Sequence, residues 1–322
     1  MKAIRVHENG ESDVLRVAEV PDPRPGAGEA LVRVEAIGVN FVEIYHRKGI
    51  YTVPRPFTPG GEGAGTVVAV GDGVTSVRVG QRVASESLRG SYAELAIAPA
   101  DRLIVLPDDV AAHTAAALML QGMTAHYLAN STYPLSSGDW CLVHAAAGGV
   151  GLLLCQIAAR RGARVIGTVS SAGKAELARA AGAQHVIDYT QQDFVAEVRR
   201  LTDGRGVQVV YDSVGRTTFD ASLDCITPRG MMVLFGQSSG AVAPIDSQLL
   251  NRKGSLFFTR PKLRDYVSTS DELKARAADL LAWLRAGSLE VRVDRTYPLV
   301  DAAEAHRALE SRQTRGKVLL LP

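Results

Sequence analysis

Between Asp139 and Ser171 the chain reads DWCLVHAAAGGVGLLLCQIAARRGARVIGTVSS. Trp140 to His144 is a short apolar run, Ala145 to Gly151 is a turn of small residues, and Val150 to Arg161 has helical periodicity. Gly162 is placed to end that helix, and Arg164 to Val169 is a second apolar run. Strand, glycine turn, helix and strand in this order make a βαβ unit, the building block of a parallel sheet. The turn follows the spacing G-x-G-x-x-G with Ala146 in the first position, then Gly148 and Gly151. A tight turn in any α/β domain would use glycine too. Here the strand before and the helix after meet the context that a dinucleotide-binding turn requires. Gly148 and Gly149 are expected to take backbone angles closed to other residues and to let the main chain approach a pyrophosphate. The helix opening near Val150 would aim unpaired N–H groups and its positive end at that phosphate.

The end of the second strand narrows the ligand. A site preferring NAD carries Asp or Glu there, to bind the ribose 2′-hydroxyl. This strand ends in Thr168-Val169-Ser170-Ser171, followed by Gly173 and Lys174, with no carboxylate. Hydroxyls and an ammonium suit a 2′-phosphate, so the expected cofactor is NADPH. Lys174 also reads as a solvated lysine at a helix start.

At 322 residues the chain is long enough for about two domains. Its 36 basic and 34 acidic residues leave a net charge of +2 without a polybasic tract, which disfavours nucleic acid and membrane surfaces as partners. No segment reaches the roughly 18 apolar residues of a membrane span, and the N-terminal MKAIRVHENG enters a strand-like alternation directly, so a cytoplasmic protein is expected. Cys141, Cys155 and Cys225 are scattered among apolar or helical residues, without the spacing of a zinc site, and are expected to be buried thiols.

Residues 1 to about 120 alternate in short stretches (2–7, 15–20, 30–37, 63–70, 82–84, 91–97, 103–106) separated by glycine and proline turns, the pattern of a small barrel with site-bearing loops. Two such loops are 38–49 and 57–65. The Ala-rich 111–128 reads as a helix pair. Beyond the βαβ unit, helices and strands alternate through 255–260, the signature of a doubly wound parallel sheet. An amphipathic helix over 272–286, strands at 293–299 and 317–321 and a helix at 301–309 then return to the first domain. The expected division is 1–122 with 263–322 as the catalytic domain, and 123–262 as the nucleotide domain.

The strings GVNFVEIYHRKGIY, PFTPGGEGAG, VHAAAGGVGLLLCQIA, VVYDSVG and FGQSSG resemble the medium-chain dehydrogenase/reductase superfamily, and within it the zeta-crystallin-like NADPH:quinone oxidoreductases. The resemblance covers essentially the whole chain. It implies a Rossmann sheet inserted in a GroES-like β-barrel catalytic domain, with a cleft between them. Zinc alcohol dehydrogenases of that fold carry Cys in the first loop and Gly-His-Glu in the second. Here those places hold 40–45 and Gly60-Gly61-Glu62, which implies no catalytic metal and therefore no Lewis acid. Hydride delivery to an acceptor that is already electrophilic, a quinone or an activated alkene, meets that condition.

The resemblance also distributes roles. Gly148, Gly149 and Val150 would hold the pyrophosphate, and Ser170, Ser171 and Lys174 the 2′-phosphate. Tyr189 would lie beside the adenine end, or simply pack at a strand end. Ser213, and then Phe235, Gly236 and Ser238, follow parallel strands, where ligands of open α/β sheets collect; the alternative is turn residues without a contact. Asn40, Tyr45 and Thr124 would face the nicotinamide and its ribose, unless Asn40 is a turn-capping amide and Tyr45 a surface aromatic. Arg260 and Lys317 are late-chain cations, Lys317 reading either as a phosphate contact or as a solvated residue. Tyr45 or Tyr51 is the candidate proton donor. His144, inside the first strand of the βαβ unit, reads as a satisfied core group rather than an acid. The implied activity is NADPH:quinone reduction. The alternatives are a 2-alkenal or enone reductase and a sensor or structural protein that keeps NADPH as a ligand. The apolar edge offered by SLFFTR beside GMMVLFG implies a homodimer.

Overall fold

A computed structural model describes residues 1–322. The chain divides into two compact units, Met1–Gln121 with Thr269–Pro322, and Gly122–Ser268.

The chain begins with β1 (Lys2–Arg5), β2 (Arg16–Glu19), β3 (Glu29–Val39), α1 (Phe41–Arg47), β4 (Gly63–Val70), β5 (Arg82–Ser85), β6 (Leu95–Pro99), β7 (Ile104–Val105) and α2 (Ala112–Tyr127). It continues through β8 (Trp140–Val143), α3 (Gly149–Arg160), β9 (Arg164–Val169), α4 (Ala172–Ala180), β10 (His185–Asp188), α5 (Phe194–Leu201), β11 (Val207–Asp212) and α6 (Phe219–Leu223). After these come β12 (Ile226–Leu234), α7 (Ser247–Arg252), β13 (Phe257–Thr259) and α8 (Leu263–Tyr266). The last elements are α9 (Ser270–Arg285), β14 (Val293–Pro298), α10 (Ala302–Glu310) and β15 (Lys317–Leu321).

The first unit holds a seven-stranded sheet in the order β14-β15-β3-β4-β5-β7, with β6 also paired to β3. The eleven-residue β3 is its spine, pairing antiparallel with β4 over Ala30–Ile37, with β6 over Glu29–Arg33 and with β15 over Ile37–Val39. Its alternate Ala30, Val32, Val34 side chains point into a core shared with Ile4, Val67, Tyr92, Val318 and Leu320, the period-two burial expected of a half-buried strand.

The second unit is a six-stranded sheet in the order β10-β9-β8-β11-β12-β13, parallel throughout. Strands buried on both faces must be apolar on both, and Cys141, Leu142 and Val143 of β8 are all fully buried. Caps fix the helix ends around them. Asp193 accepts the Val195 and Ala196 amides at the start of α5, and Gly162, at φ 78°, takes the left-handed turn that ends α3. Because the strand order reverses between β8 and β11, the C-terminal ends of these two strands bound the crevice where ligands of such sheets bind.

Several elements differ from expectation. The 38–49 stretch is not a loop: β3 runs to Val39, and α1 begins two residues later on a capping box between Asn40 and Glu43. The expected helix pair over 111–128 is the single helix α2, which runs on into a π-helical turn, Leu128–Thr132, whose Leu128 carbonyl accepts the Tyr211 hydroxyl at 3.2 Å. Alanine-rich sequence has no residue strong enough to break it. The strand expected at 91–97 starts later, at Leu95. No helix is long and apolar enough to cross a membrane.

Candidate active site

In the second unit, α3 opens directly out of the turn after β8. Its N-cap is Gly148, which has no side chain to satisfy the first amides, so the orphan N–H groups of Gly149, Val150 and Gly151 are offered outward. The glycines are required for a different reason from the one expected. Gly148 has φ −79°, open to any residue, and the left-handed residue is Ala145, at φ 52°. Space is what demands Gly151: a Cβ there would lie 2.3 Å from the Ala145 carbonyl oxygen. One on Gly148 would lie 3.2 Å from the same atom. The turn is thus folded onto itself, bringing α3 close to β8.

One strand over, β9 delivers Ser170 and Ser171 ahead of α4. Lys174, in the first turn of α4, donates from Nζ to Ser170 Oγ at 3.4 Å. Two hydroxyls and an ammonium meet there, half-buried, with no acidic residue at the strand end. Tyr189 follows β10 and is 46% exposed, so its ring is presented rather than packed. Ser213 follows β11 and Phe235, Gly236 and Ser238 follow β12, and these two strand ends are stitched together. Phe235 and Gly236 donate to the Asp212 carbonyl at 2.8 and 3.3 Å, and Ser238 donates to the Ser213 carbonyl at 3.1 Å. Sequence reading missed the organiser of this loop. Asp212, fully buried, accepts from the Val214 and Gly215 amides at 2.6 and 3.0 Å and from the Thr218 hydroxyl at 2.7 Å. Arg260 lies exposed just past β13, and Thr124 is a buried residue of α2.

His144 closes the core below the glycine turn. Its ring nitrogens meet Thr168 Oγ1 at 2.9 Å and Ser222 Oγ at 2.8 Å, and burial holds its pKa below the ordinary value. It is a satisfied core group. Burial raises the thiols of Cys141, Cys155 and Cys225, the last two to about 12, so none is a ready nucleophile.

The first unit holds a second, buried polar cluster. Lys317, expected either to contact phosphate or to be solvated, does neither. Its side chain is 1% exposed, and Nζ donates to Glu62 Oε2 at 2.5 Å and to Asn40 Oδ1 at 2.6 Å. The register of β15 beside β3 explains the burial, since Val318 pairs with Val39, next to Asn40. Glu62 also accepts the Leu120 amide at 2.6 Å and the Asn40 side-chain amide at 3.0 Å. The carboxylate fits there because residue 38 is glycine: a Cβ on Gly38 would lie 2.1 Å from Glu62 Oε2 and 2.8 Å from the Ala116 carbonyl. Removing one member of such a buried pair leaves an uncompensated charge, a loss of about 3–5 kcal/mol.

Asn40 is therefore a helix cap as well as a candidate contact. Its backbone N–H donates to Glu43 Oε2 at 2.8 Å, and its side chain receives the Glu43 amide. Burial pushes the Glu43 carboxyl up to about 8, opposed by the nearby Lys317 charge and by the hydrogen bonds it accepts. Along α1, Tyr45 is buried and packs edge-on against Tyr51, ring centres 5.3 Å apart, while Tyr51 is 38% exposed. Arg47 is completely buried and pairs with Glu310 at 2.8 Å. The Tyr92 hydroxyl meets His306 Nε2 at 3.0 Å, and burial with the nearby Arg47 charge lowers that imidazole to about 3.

Residues 26–108 match the family model described as an alcohol dehydrogenase GroES-like domain, and residues 181–320 match the one described as a zinc-binding dehydrogenase. The quinone oxidoreductase of Pseudomonas aeruginosa is 44% identical, the alignment covering 100% of this chain and 99% of that protein. The chain belongs to the quinone oxidoreductase family of the medium-chain dehydrogenase/reductase superfamily. The crystal structure of Escherichia coli quinone oxidoreductase complexed with NADPH is 43% identical, with a TM-score of 0.98 over 100% of both chains. A 2-haloacrylate reductase from Burkholderia sp is 43% identical over 98% of each.

The description of the second family model implies zinc, and the residues here do not fit it. No group of three or more His, Cys, Asp or Glu is placed to hold a metal ion. The one buried carboxylate at the expected place, Glu62, has both oxygens engaged, one of them by an ammonium that a divalent cation would repel.

Proposed function

We propose that this chain is an NADPH-dependent quinone oxidoreductase that works without zinc. The observation that carries the reading is the end of β9: Ser170, Ser171 and Lys174 converge where an NAD-preferring relative would place a carboxylate. The similarity to an E. coli enzyme solved with NADPH and to relatives named quinone oxidoreductase supports it.

Bound NADPH would supply a hydride from its nicotinamide ring to the acceptor. The chain's own contribution is holding and orienting. Gly148, Gly149 and Val150 give main-chain donors to the pyrophosphate, and Ser170, Ser171 and Lys174 bind the 2′-phosphate. Tyr189, Ser213, Phe235, Gly236, Ser238, Arg260 and Thr124 are the further proposed contacts of the second unit. Asn40 and Tyr45 are those of the first. A quinone reduced by hydride leaves as an anion that solvent protonates, or takes a proton from the Tyr45 or Tyr51 phenol.

A second reading is reduction of activated alkenes on the same site, favoured by the 43% identity to a 2-haloacrylate reductase. Anaerobic oxidation of NADPH against a quinone panel and an alkene panel separates the two. Quinones should drain NADPH far faster than NADH; turnover with alkenes alone would establish the second reading, and no turnover with either would sink both. In the same assay, a Tyr45→Phe variant with unchanged turnover removes Tyr45 as donor. We further propose a homodimer, supported by the exposed apolar edge at β13, where Phe257 is 60% exposed. A cytoplasmic location is supported by three unpaired buried cysteines.

A further inference from the structure

Hydride transfer from NADPH, the reading on which the present inference rests, assigns no part to a fully enclosed charge of the first unit, the Lys317 ammonium. Lys317 joins segments far apart in sequence: β15 itself, the Glu62 stretch before β4, and Asn40 at the head of α1. Through Glu62 it also reaches Leu120 in α2.

The polar atoms of the Asn40 amide already have partners inside the protein. Its Nδ2 donates to the Gly38 carbonyl at 3.3 Å and to Glu62 at 3.0 Å, using both donors. Its Oδ1 accepts Lys317 Nζ at 2.6 Å and Gln121 Nε2 at 3.5 Å. Which way that amide faces is therefore decided inside the protein, with the ammonium on its oxygen and the carboxylate on its nitrogen. Since Asn40 caps α1, the same choice fixes the first turn of the helix that carries Tyr45.

We propose that Lys317 is a positioning residue: a built-in cation that, acting through Glu62 and Asn40, sets the orientation of α1 and of the Tyr45 phenol for the reaction. A metal ion would gather oxygen ligands from separate segments in the same manner. Here the ammonium is covalently part of the chain and needs no loading.

The test uses Lys317→Met, which keeps the apolar stem, and Lys317→Ala, which leaves room for a small amine. For Lys317→Met, kcat should fall about 100-fold, the cost of roughly 1 Å of misplacement, a larger factor than any loss of NADPH affinity measured by fluorescence. Propylammonium should restore kcat to Lys317→Ala saturably, and propanol should not. The double variant Lys317→Met/Glu62→Gln removes both charges and so should recover stability without recovering kcat. A double variant with wild-type kcat, or a folded Lys317→Ala enzyme that propylammonium leaves unchanged, overturns the assignment. One readout is independent of turnover. In ¹⁵N-labelled protein the Asn40 side-chain amide signals should shift in Lys317→Met and return in Lys317→Ala with propylammonium. An unmoved amide refutes the inference; a wild-type protein inert toward quinones and alkenes refutes the functional reading instead.

Discussion

Replacing Glu43 with glutamine should stabilise the first unit, and by more as the pH rises. The carboxyl is 1% exposed and is raised from 4.5 to about 8, chiefly by desolvation, with Lys317 and two backbone hydrogen bonds pulling it down and Glu62 pushing it up. In the folded protein it stays protonated to about pH 8, while in the unfolded chain it ionises near 4.5. Unfolding therefore releases a proton between those values. Its contribution to stability is fully present below 4.5, declines by about 1.4 kcal/mol per pH unit across the window, and is lost above about 8. A shift of this size amounts to on the order of 5 kcal/mol at the alkaline end. Glutamine keeps the capping box with Asn40 and carries no titration, so the gap between variant and wild type isolates this one group. The fold supplies its own reporter. One tryptophan lies in each unit, so a Trp140→Phe background leaves Trp283 of α9 to follow the first unit alone. Urea midpoints by Trp283 fluorescence from about pH 5 to about pH 9 should show Glu43→Gln gaining steadily over Glu43. A gap that is flat with pH, or that widens toward acid, would refute the argument.

Two further outcomes concern the second unit. Lys174→Ala should raise the KM for NADPH about 10- to 100-fold, the worth of one hydrogen bond to a charged group, and leave NADH kinetics unchanged; equal losses with both cofactors would remove Lys174 from the 2′-phosphate. Sedimentation should give twice the 34.3 kDa chain mass, falling to the monomer when Phe257→Lys charges the β13 edge; a monomeric wild type would dismiss the dimer.

The parallel sheet and its glycine turn were legible from the chain because their signals are local. The apolar run, the small-residue turn and the helix of 139–171 all lie within one βαβ unit, and the missing carboxylate after Val169 is a single position to inspect. The short helix α1 was harder to see. Seven residues between two glycines resemble a loop, although Asn40-x-x-Glu43 is the capping-box spacing and, read as such, would have announced it. The reason for the turn glycines was also misread. Composition cannot tell a glycine needed for its backbone angle from one needed for room, and here Ala145 carries the unusual angle. The partnership of Lys317 with Glu62 was out of reach, because 255 residues separate them and only the register of β15 on β3 brings them together.

The bare α-carbon at Gly38 couples distant positions of the sequence. A methyl group there would have to push the Glu62 carboxylate away, and the carboxylate is what makes an enclosed ammonium tolerable at the start of β15. Residues 38, 62 and 317 thus depend on one another physically. A relative that acquires a side chain at the first must shorten the second, and then has no electrostatic reason to retain a cation at the third.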